Sequence, residues 1–335
     1  MSSQNLLVSI LIPVFNAEKY IERGLLSVIN QTYKNLEVII VDDHSMDASL
    51  QCIENFRSSH PQIKIIVIKH KTNLGVSAAR NSLLDHANGD LFAFLDADDY
   101  FANTLIEKLI YLIKEKDVDV AQCAFFKEND NGQYKSIYPI RTSRMALTGH
   151  QVILEMLEGK IPGFLWNKIF KRHVFDDVRF DIKKKAFEDY EVLLKIFLNN
   201  ASLFSTCEPL YYYIQRPQSL TKKSYLEATT RLEYLDLTKE LVSPALQNKS
   251  DKQLLLVHEY SVIIDVARFI AKNYANESSS YDGINTCKKR LSLIGLLKIM
   301  SRLSIKTFVA AFILISSPRV FIYILNYRKR NVPIS

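Results

Sequence analysis

Apolar residues fall in short continuous runs through the first third of the chain, and the stretches between them carry apolar positions at helical spacing. Residues 6–12 (LLVSILI) form one run, ended by Pro13 as expected for a buried parallel strand. Residues 17–31 follow with Tyr20, Ile21, Leu25, Val28 and Ile29 on one helical stripe. Runs at 36–41 (LEVIIV), 63–68 (IKIIVI) and 91–95 (LFAFL) predict three more strands. Helices are expected over about 48–58, 74–86 and 103–114, the first capped by Asp47, with a further strand at 118–126. Strands alternating with helices of this length predict a mostly parallel α/β sheet with right-handed crossovers. Asn131-Gly132, between Phe125-Phe126 and residues 134–140, predicts a hairpin leaving that sheet.

Beyond residue 220 the pattern becomes helical throughout. Residues 225–246 and 252–274 read as two amphipathic helices that would pack as a small bundle. Apolar blocks at 291–300, 308–315 and 320–325 follow, but Pro318-Arg319 interrupts them, so no run of about 18 residues is available to span a bilayer. The expected division is an α/β domain at 1–220, a helical bundle at 221–285 and a basic amphipathic segment at 286–335.

Charge changes the picture of that last segment. The 335 residues carry a net charge of +7, yet after Asp282 there are ten Lys or Arg and no Asp or Glu, leaving thirty-three bases and thirty-six acids elsewhere. A nucleic-acid binder would spread basicity over its folded face, so no nucleic-acid partner is expected. Basic residues flanking apolar helical blocks suit attachment to an anionic membrane surface, with a core or homodimer interface as the other use of the same pattern. An apolar content of 48% against 24% charged residues excludes a disordered chain. Cys52, Cys123, Cys207 and Cys287 are too scattered for a zinc finger or a disulfide scaffold. With no basic-then-apolar leader at residues 1–5, the expected location is cytoplasmic, peripheral on the inner face of the cell membrane.

In open α/β sheets ligands bind outside the carboxyl ends of the strands. Here those ends carry residues 13–16, Asp42-Asp43 and Asp96-Ala97-Asp98-Asp99, an unusually acidic edge. No GxGxxG or GxxxxGK[ST] loop is present, so dinucleotide and P-loop chemistry have no support. Asp96 and Asp98, two apart at a strand end, can project to one side, and crowded carboxylates call for a hard cation. Mg2+ or Mn2+ there could bridge the phosphates of a nucleotide diphosphate, whereas the bland alternative is an acidic turn capping the next helix. Asp42 and Asp43 could accept a base N–H or sugar hydroxyl, or serve as helix caps. Arg80 could pair with phosphate or hold the acidic cluster, or stand solvated on its helix. Trp166, the single tryptophan, offers a face for stacking on a sugar, or a core side chain. Arg216, Ser219 and Thr221 lie in a polar loop that could fold over a diphosphate.

Five segments in order, 8–16 (VSILIPVFN), 30–33 (NQTY), 41–45 (VDDHS), 73–81 (NLGVSAARN) and 95–99 (LDADD), resemble the motifs of family 2 glycosyltransferases with the GT-A fold. The resemblance covers roughly the first 100 residues, with His44 standing where the family often has Gly. More loosely, Trp166-Asn167-Lys168 with Phe170-Lys171-Arg172, 187–191 (FEDYE) and 211–221 (YYYIQRPQSLT) are similar to the bacterial surface-polysaccharide members. The resemblance implies a GT-A catalytic domain that inverts configuration while moving a hexose or N-acetylhexosamine. The donor would be a UDP-sugar and the acceptor a hydroxyl of a surface glycan or lipid-linked acceptor. Carried over, Pro13, Phe15 and Asp42 or Asp43 would line the base pocket, and Arg80 and Asp96 would stabilise the ribose and phosphate region. Asp98 would ligate the metal, Asp189 of the Glu188-Asp189 pair would be the general base, and Trp166 and Lys168 would lie on the acceptor side. Crowding with Glu188 would raise one carboxyl pKa, the pair titrating as a unit.

Two rivals are weighed against this reading. A sugar-phosphate nucleotidyltransferase would carry a Gly-rich basic loop after its first strand, which residues 12–16 (IPVFN) lack. A non-catalytic nucleotide-sugar or glycan-binding subunit would not need both the Asp96/Asp98 and Glu188-Asp189 sets.

Overall fold

The computed structural model describes residues 5–129, 134–184, 186–215, 225–274 and 278–330. The chain divides into two compact units, Met1–Ser219 and Leu220–Ser335.

The first unit opens with the alternating pattern: β1 (Val8–Val14), α1 (Ile21–Ile29), β2 (Leu36–Asp42), α2 (Ser49–Ser59), β3 (Lys64–Lys69), α3 (Val76–His86) and β4 (Leu91–Phe94). There follow β5 (Tyr100–Phe101), α4 (Leu105–Lys116), β6 (Val120–Asn129), β7 (Tyr134–Tyr138), α5 (Gly149–Leu157), β8 (Lys168–Lys171), α6 (Glu188–Leu198) and β9 (Leu203–Gln215). One sheet runs in the order β3-β2-β1-β4-β8-β6-β9-β5, with β7 paired on β6. β1 is parallel to both β2 and β4, β2 to β3, and β6 to β9, whereas β8 is antiparallel to β4 and β6. The antiparallel β6–β7 pair is the expected hairpin; its turn residues Asn131-Gly132 lie outside the described residues.

Two local readings shift. Pro13 lies inside β1, opposite Val41, rather than ending it. Pairing with β4 stops at Leu11, so at Pro13 the strand has a partner on one flank only and a missing N–H is tolerated there. The α1 helix starts at Ile21, because residues 17–20 are spent on a turn whose Ala17 N–H donates to Ser49 Oγ at 2.7 Å. Ile10, Ile12, Val38, Ile40 and Ala93 are buried with Leu25, Val28 and Ile106 of the covering helices.

The second unit is helical: α7 (Tyr225–Val242), α8 (Lys249–Asn273), α9 (Ser278–Lys289), α10 (Leu293–Ile299), α11 (Ile305–Ser316) and α12 (Pro318–Arg330). Side-chain caps start α8, α10 and α11, with Asn248, Ser292 and Ser304 accepting the N–H of Asp251, Gly295 and Thr307. Pro318 starts α12, where its fixed φ and missing N–H fit a first turn, instead of merely breaking the apolar stretch. Leu235, Ile263, Ile264, Ile270, Leu296, Ile299 and Leu314 share one core, and the expected boundary at 285/286 falls inside α9. Opposite that core, Leu293, Ile294 and Leu297 on α10, Ile305, Val309 and Phe312 on α11, and Val320 and Tyr323 on α12 face solvent. Among the described residues no helix is long and apolar enough to cross a membrane.

Candidate active site

The strand order reverses direction at β1, which has β2 on one side and β4 on the other. Crevices form where that happens, at the carboxyl ends of the strands. The parallel register sets Val14 beside Asp42 and carries Leu11 to Phe94, so the Pro13–Asn16, Asp42-Asp43 and Asp96–Asp99 segments emerge along one edge. Phe15, 49% exposed, stands open at that edge. His44 takes a left-handed φ of 64°, which accounts for glycine being the easier residue at this point of the turn.

The two neighbouring carboxylates at β2 are used differently. Asp43 accepts the backbone N–H of Leu74 at 2.9 Å and of Gly75 at 2.8 Å, and His70 Nδ1 lies 2.7 Å from it. His70 Nε2 in turn lies 3.0 Å from Ser82 Oγ on α3. Asp43 thus ties the start of α3 to β2. Asp42, also buried, accepts long bonds of 3.3 and 3.4 Å from the Ser45 N–H.

The acidic run after β4 is split as well. Asp99 is buried, accepting Tyr211 Oη at 2.8 Å and the Ile214 N–H at 2.8 Å, both from β9. Burial and the charges of Asp98 and Asp96 push its pKa well up. Asp96 and Asp98 are only half-buried. Burial, with repulsion from Asp98 and Glu188 against the pull of Arg80, pushes Asp96 up to about 6.

Arg80 is the hub. Only 5% exposed, it reaches Asp189 Oδ1 at 2.6 Å, Glu188 Oε1 at 2.7 Å and Asp96 Oδ1 at 3.5 Å. One guanidinium therefore serves three carboxylates, and their charges hold its pKa up against burial. Glu188 and Asp189 open α6, and Phe187 before them has φ of 61°, an uncommon conformation for a bulky residue. Burial, with Glu188 and Asp96 nearby, pushes Asp189 up to about 7 despite Arg80. The Leu165 N–H donates to Asp189 Oδ2 at 3.4 Å, which leaves Oδ1 to the ion pair with Arg80.

Two expected acceptor-side residues are interior instead. Trp166 is 4% exposed, stacked on Tyr211 (4.4 Å), Phe164 (4.8 Å) and Tyr213 (5.5 Å), so its faces are covered. The large ring is worth more in an aromatic core than open to water. Phe164, 37% exposed, is the most open member of that stack. Lys168 is buried and its ammonium is satisfied by loop carbonyls, so it presents no surface either. Arg216, Ser219 and Thr221 lie outside the described residues. The roles of Tyr211, Ile214 and His70 were not readable from spacing, since each lies far in sequence from the aspartate that it holds.

No three His, Cys, Asp or Glu among the described residues converge as a ready-made cation cage. The carboxylates of Asp96 and Asp98, two residues apart at the strand end and repelling one another, nevertheless fit a hard cation completed by other oxygen ligands.

The mixed sheet and its acidic edge, followed by a helical region, make this a GT-A fold. Residues 9–178 match the model of glycosyl transferase family 2, and the chain belongs to that family. The uncharacterized glycosyltransferase EpsJ of Bacillus subtilis is 28% identical over 66% of this chain, but the match spans only 65% of EpsJ. Among solved structures, Staphylococcus aureus TarS 1–349 in complex with UDP-GlcNAc superposes with a TM-score of 0.72 at 21% identity, covering 98% of this chain and 93% of that one. The mannosyltransferase PcManGT of Pyrobaculum calidifontis, in complex with GDP-Man and Mn2+, gives 0.57 at 14% identity over 97% and 88%.

Proposed function

We propose that the chain is an inverting glycosyltransferase moving a hexose or N-acetylhexosamine from a UDP-sugar to a hydroxyl of a surface glycan or lipid-linked acceptor. The observation that carries this is Arg80 held between Asp96 on one side and the Glu188-Asp189 pair on the other. It joins a donor-side carboxylate cluster to an acidic pair suited to accept a proton. Family membership argues for glycosyl rather than nucleotidyl transfer. The UDP-GlcNAc bound to TarS supports the choice of donor class.

In this reading Phe15 and Pro13 cover the base, Asp42 accepts from the base or ribose, and Asp43 keeps the Gly75 turn in place. Arg80 carries positive charge beside the diphosphate. Asp98, assisted by Asp96, holds Mn2+ or Mg2+, a choice supported by the Mn2+ of PcManGT. Such a cation supplies charge that stabilises the departing diphosphate. Asp189 takes the proton from the acceptor hydroxyl on the face opposite the leaving group, which gives inversion. Desolvation raises its basicity to suit that task, and the N–H of Leu165 orients the carboxylate.

The reaction is proposed at the inner face of the cell membrane, with α10–α12 lying on the lipid surface. Their exposed apolar stripes are interspersed with Lys298, Arg302, Lys306 and Arg319, none of which forms an ion pair with a described carboxylate. A homodimer through the same face would set bases against bases, so charge favours an anionic bilayer.

The test is a thermal-shift screen with UDP-, GDP- and dTDP-sugars, each with and without Mn2+. A ligand that binds only the native state raises its melting temperature. The largest shift is expected for a UDP-sugar with Mn2+; a Mn2+-independent shift or preference for another nucleotide would count against the donor or metal assignment.

A further inference from the structure

Next to the acidic pair lies a buried cation that the transfer step does not use. Lys168 begins β8, and its Nζ donates to the carbonyl oxygens of Pro162 (3.0 Å) and Phe164 (2.6 Å) and to Asn167 Oδ1 (3.0 Å). An ammonium has three N–H donors, so all of its capacity goes into one loop, residues 162–167. The far end of that loop is tied to β6, where Asn167 Nδ2 donates to the Cys123 carbonyl at 2.9 Å and the Cys123 N–H donates to the Asn167 carbonyl at 3.0 Å. The near end meets α6 at two adjacent residues. Leu165 N–H donates to Asp189 Oδ2, and Gly163 packs so closely on the Tyr190 ring that any Cβ would collide with it.

Burying an ammonium is unfavourable, and burial pushes Lys168 down to about 7. An apolar side chain would fill the same space without that cost, but it would leave two carbonyls of the loop without their donor. The Lys168 amine thus gathers this short irregular segment, whose Gly163 and Leu165 meet α6.

We propose that Lys168 is a positioning residue for glycosyl transfer: by gathering the Pro162 and Phe164 carbonyls it fixes the Leu165 N–H and the Gly163–Tyr190 contact, and so sets the place of the Asp189 carboxylate. The inference rests on the reading of Asp189 as general base. It assigns the lysine of the Trp166-Asn167-Lys168 segment to the base rather than to direct acceptor contact.

The experiment compares Lys168→Met, Lys168→Arg and Gly163→Ala with Asp189→Asn, all in the full chain. UDP affinity is measured by calorimetry with Mn2+, and kcat and KM are measured for hydrolysis of the UDP-sugar giving the largest thermal shift. Folding is checked by circular dichroism. Lys168→Met is expected to keep UDP affinity and donor KM within twofold while kcat falls about 10²-fold, the scale of a misplaced reacting group. Lys168→Arg should recover part of that loss because it retains donors for the carbonyls. Gly163→Ala should lower kcat with Lys168 intact, and it decides the matter if Lys168→Met does not fold. A folded Lys168→Met with kcat within twofold of the parent overturns the proposal, as does a parallel loss of kcat and UDP affinity, which would mark a lysine that only supports the fold. If Lys168→Met is unfolded, an unchanged kcat in Gly163→Ala overturns it. Normal turnover in Asp189→Asn would instead remove the base assignment itself.

Discussion

Arg80 shows how one side chain can be read only partly from sequence. Its helical position left it open between a phosphate partner, a clamp on the acidic cluster and a solvated surface group. The structure buries it among Asp96, Glu188 and Asp189. That arrangement was hidden because Glu188 lies 108 residues away, and spacing carries no information about such a contact. Removing one partner of a buried ion pair costs about 3–5 kcal/mol, since the charges left behind are uncompensated. Arg80→Met is expected to lower unfolding free energy by about that amount at pH 8. The deficit should shrink toward pH 5, where the orphaned carboxylates can take up protons; urea titrations at both pH values measure it. Asp189 gives a second expectation. Its pKa is raised, so its ionisation is resisted in the folded state, and stability from this group falls as pH rises through about 7. A general base must be ionised, so kcat should rise over the same range and level off above it, as a pH–rate profile would show. Flat activity between pH 5.5 and 8 would contradict this.

At the level of elements, long periodic segments were legible and short tied ones were not. The β1, β2, β3 and β4 strands and the α2, α3 and α4 helices fall within about two residues of the expected spans, because continuous apolar runs and helical spacing determine them locally. The four-residue β8, held between β4 and β6, carries no period long enough to see. Trp166 likewise gave no sign of which use it had, and only the stacked Tyr211 and Tyr213 of β9 settle that it is core. The entry to α3 falls two residues later than the expected 74–86 span, because Gly75 stands at the N-cap rather than within the helix. Its φ of 89° and ψ of 162° place it in a region nearly closed to other residues, whereas a Cβ at this point would meet no atom within 4 Å. Gly75→Ala should therefore cost about 1–3 kcal/mol through the backbone alone. It should also weaken UDP binding by disturbing the Asp43 bonds to residues 74 and 75. Equal stability of parent and variant in denaturant titrations would refute the first part.

Across the whole molecule, charge and apolar surface separate by region. The acids crowd the sheet edge, and the last 53 residues hold ten bases and no acids. The helices that carry those bases supply one face to a core and leave another apolar face in water. Sequence patterning showed both apolarity and charge but could not divide core from surface, because the same stripe serves either. Triple substitution of Ile294, Leu297 and Phe312 by Ser spares the buried Leu296, Ile299 and Leu314. It is expected to reduce co-sedimentation with phosphatidylglycerol vesicles several-fold while leaving UDP binding intact. High salt should reduce attachment of the parent only in part, since screening removes the electrostatic share and leaves the apolar one. A parent chain that stays in the supernatant with anionic vesicles at low salt would rule out a membrane role for this face.

The most direct measurement compares Asp189→Asn with the parent chain for both donor binding and turnover. The substitution keeps the size of the side chain and leaves Arg80 its pairs with Glu188 and Asp96, while it removes the capacity to accept a proton together with one carboxylate charge beside Arg80, so folding is checked alongside. Calorimetric UDP affinity with Mn2+ should stay within a few-fold of the parent, and kcat should fall by about 10²–10⁴-fold, the usual contribution of a positioned general base. Unchanged turnover at parental donor affinity would show that proton transfer is carried elsewhere, and would contradict the reading of the Arg80-centred cluster as the catalytic site.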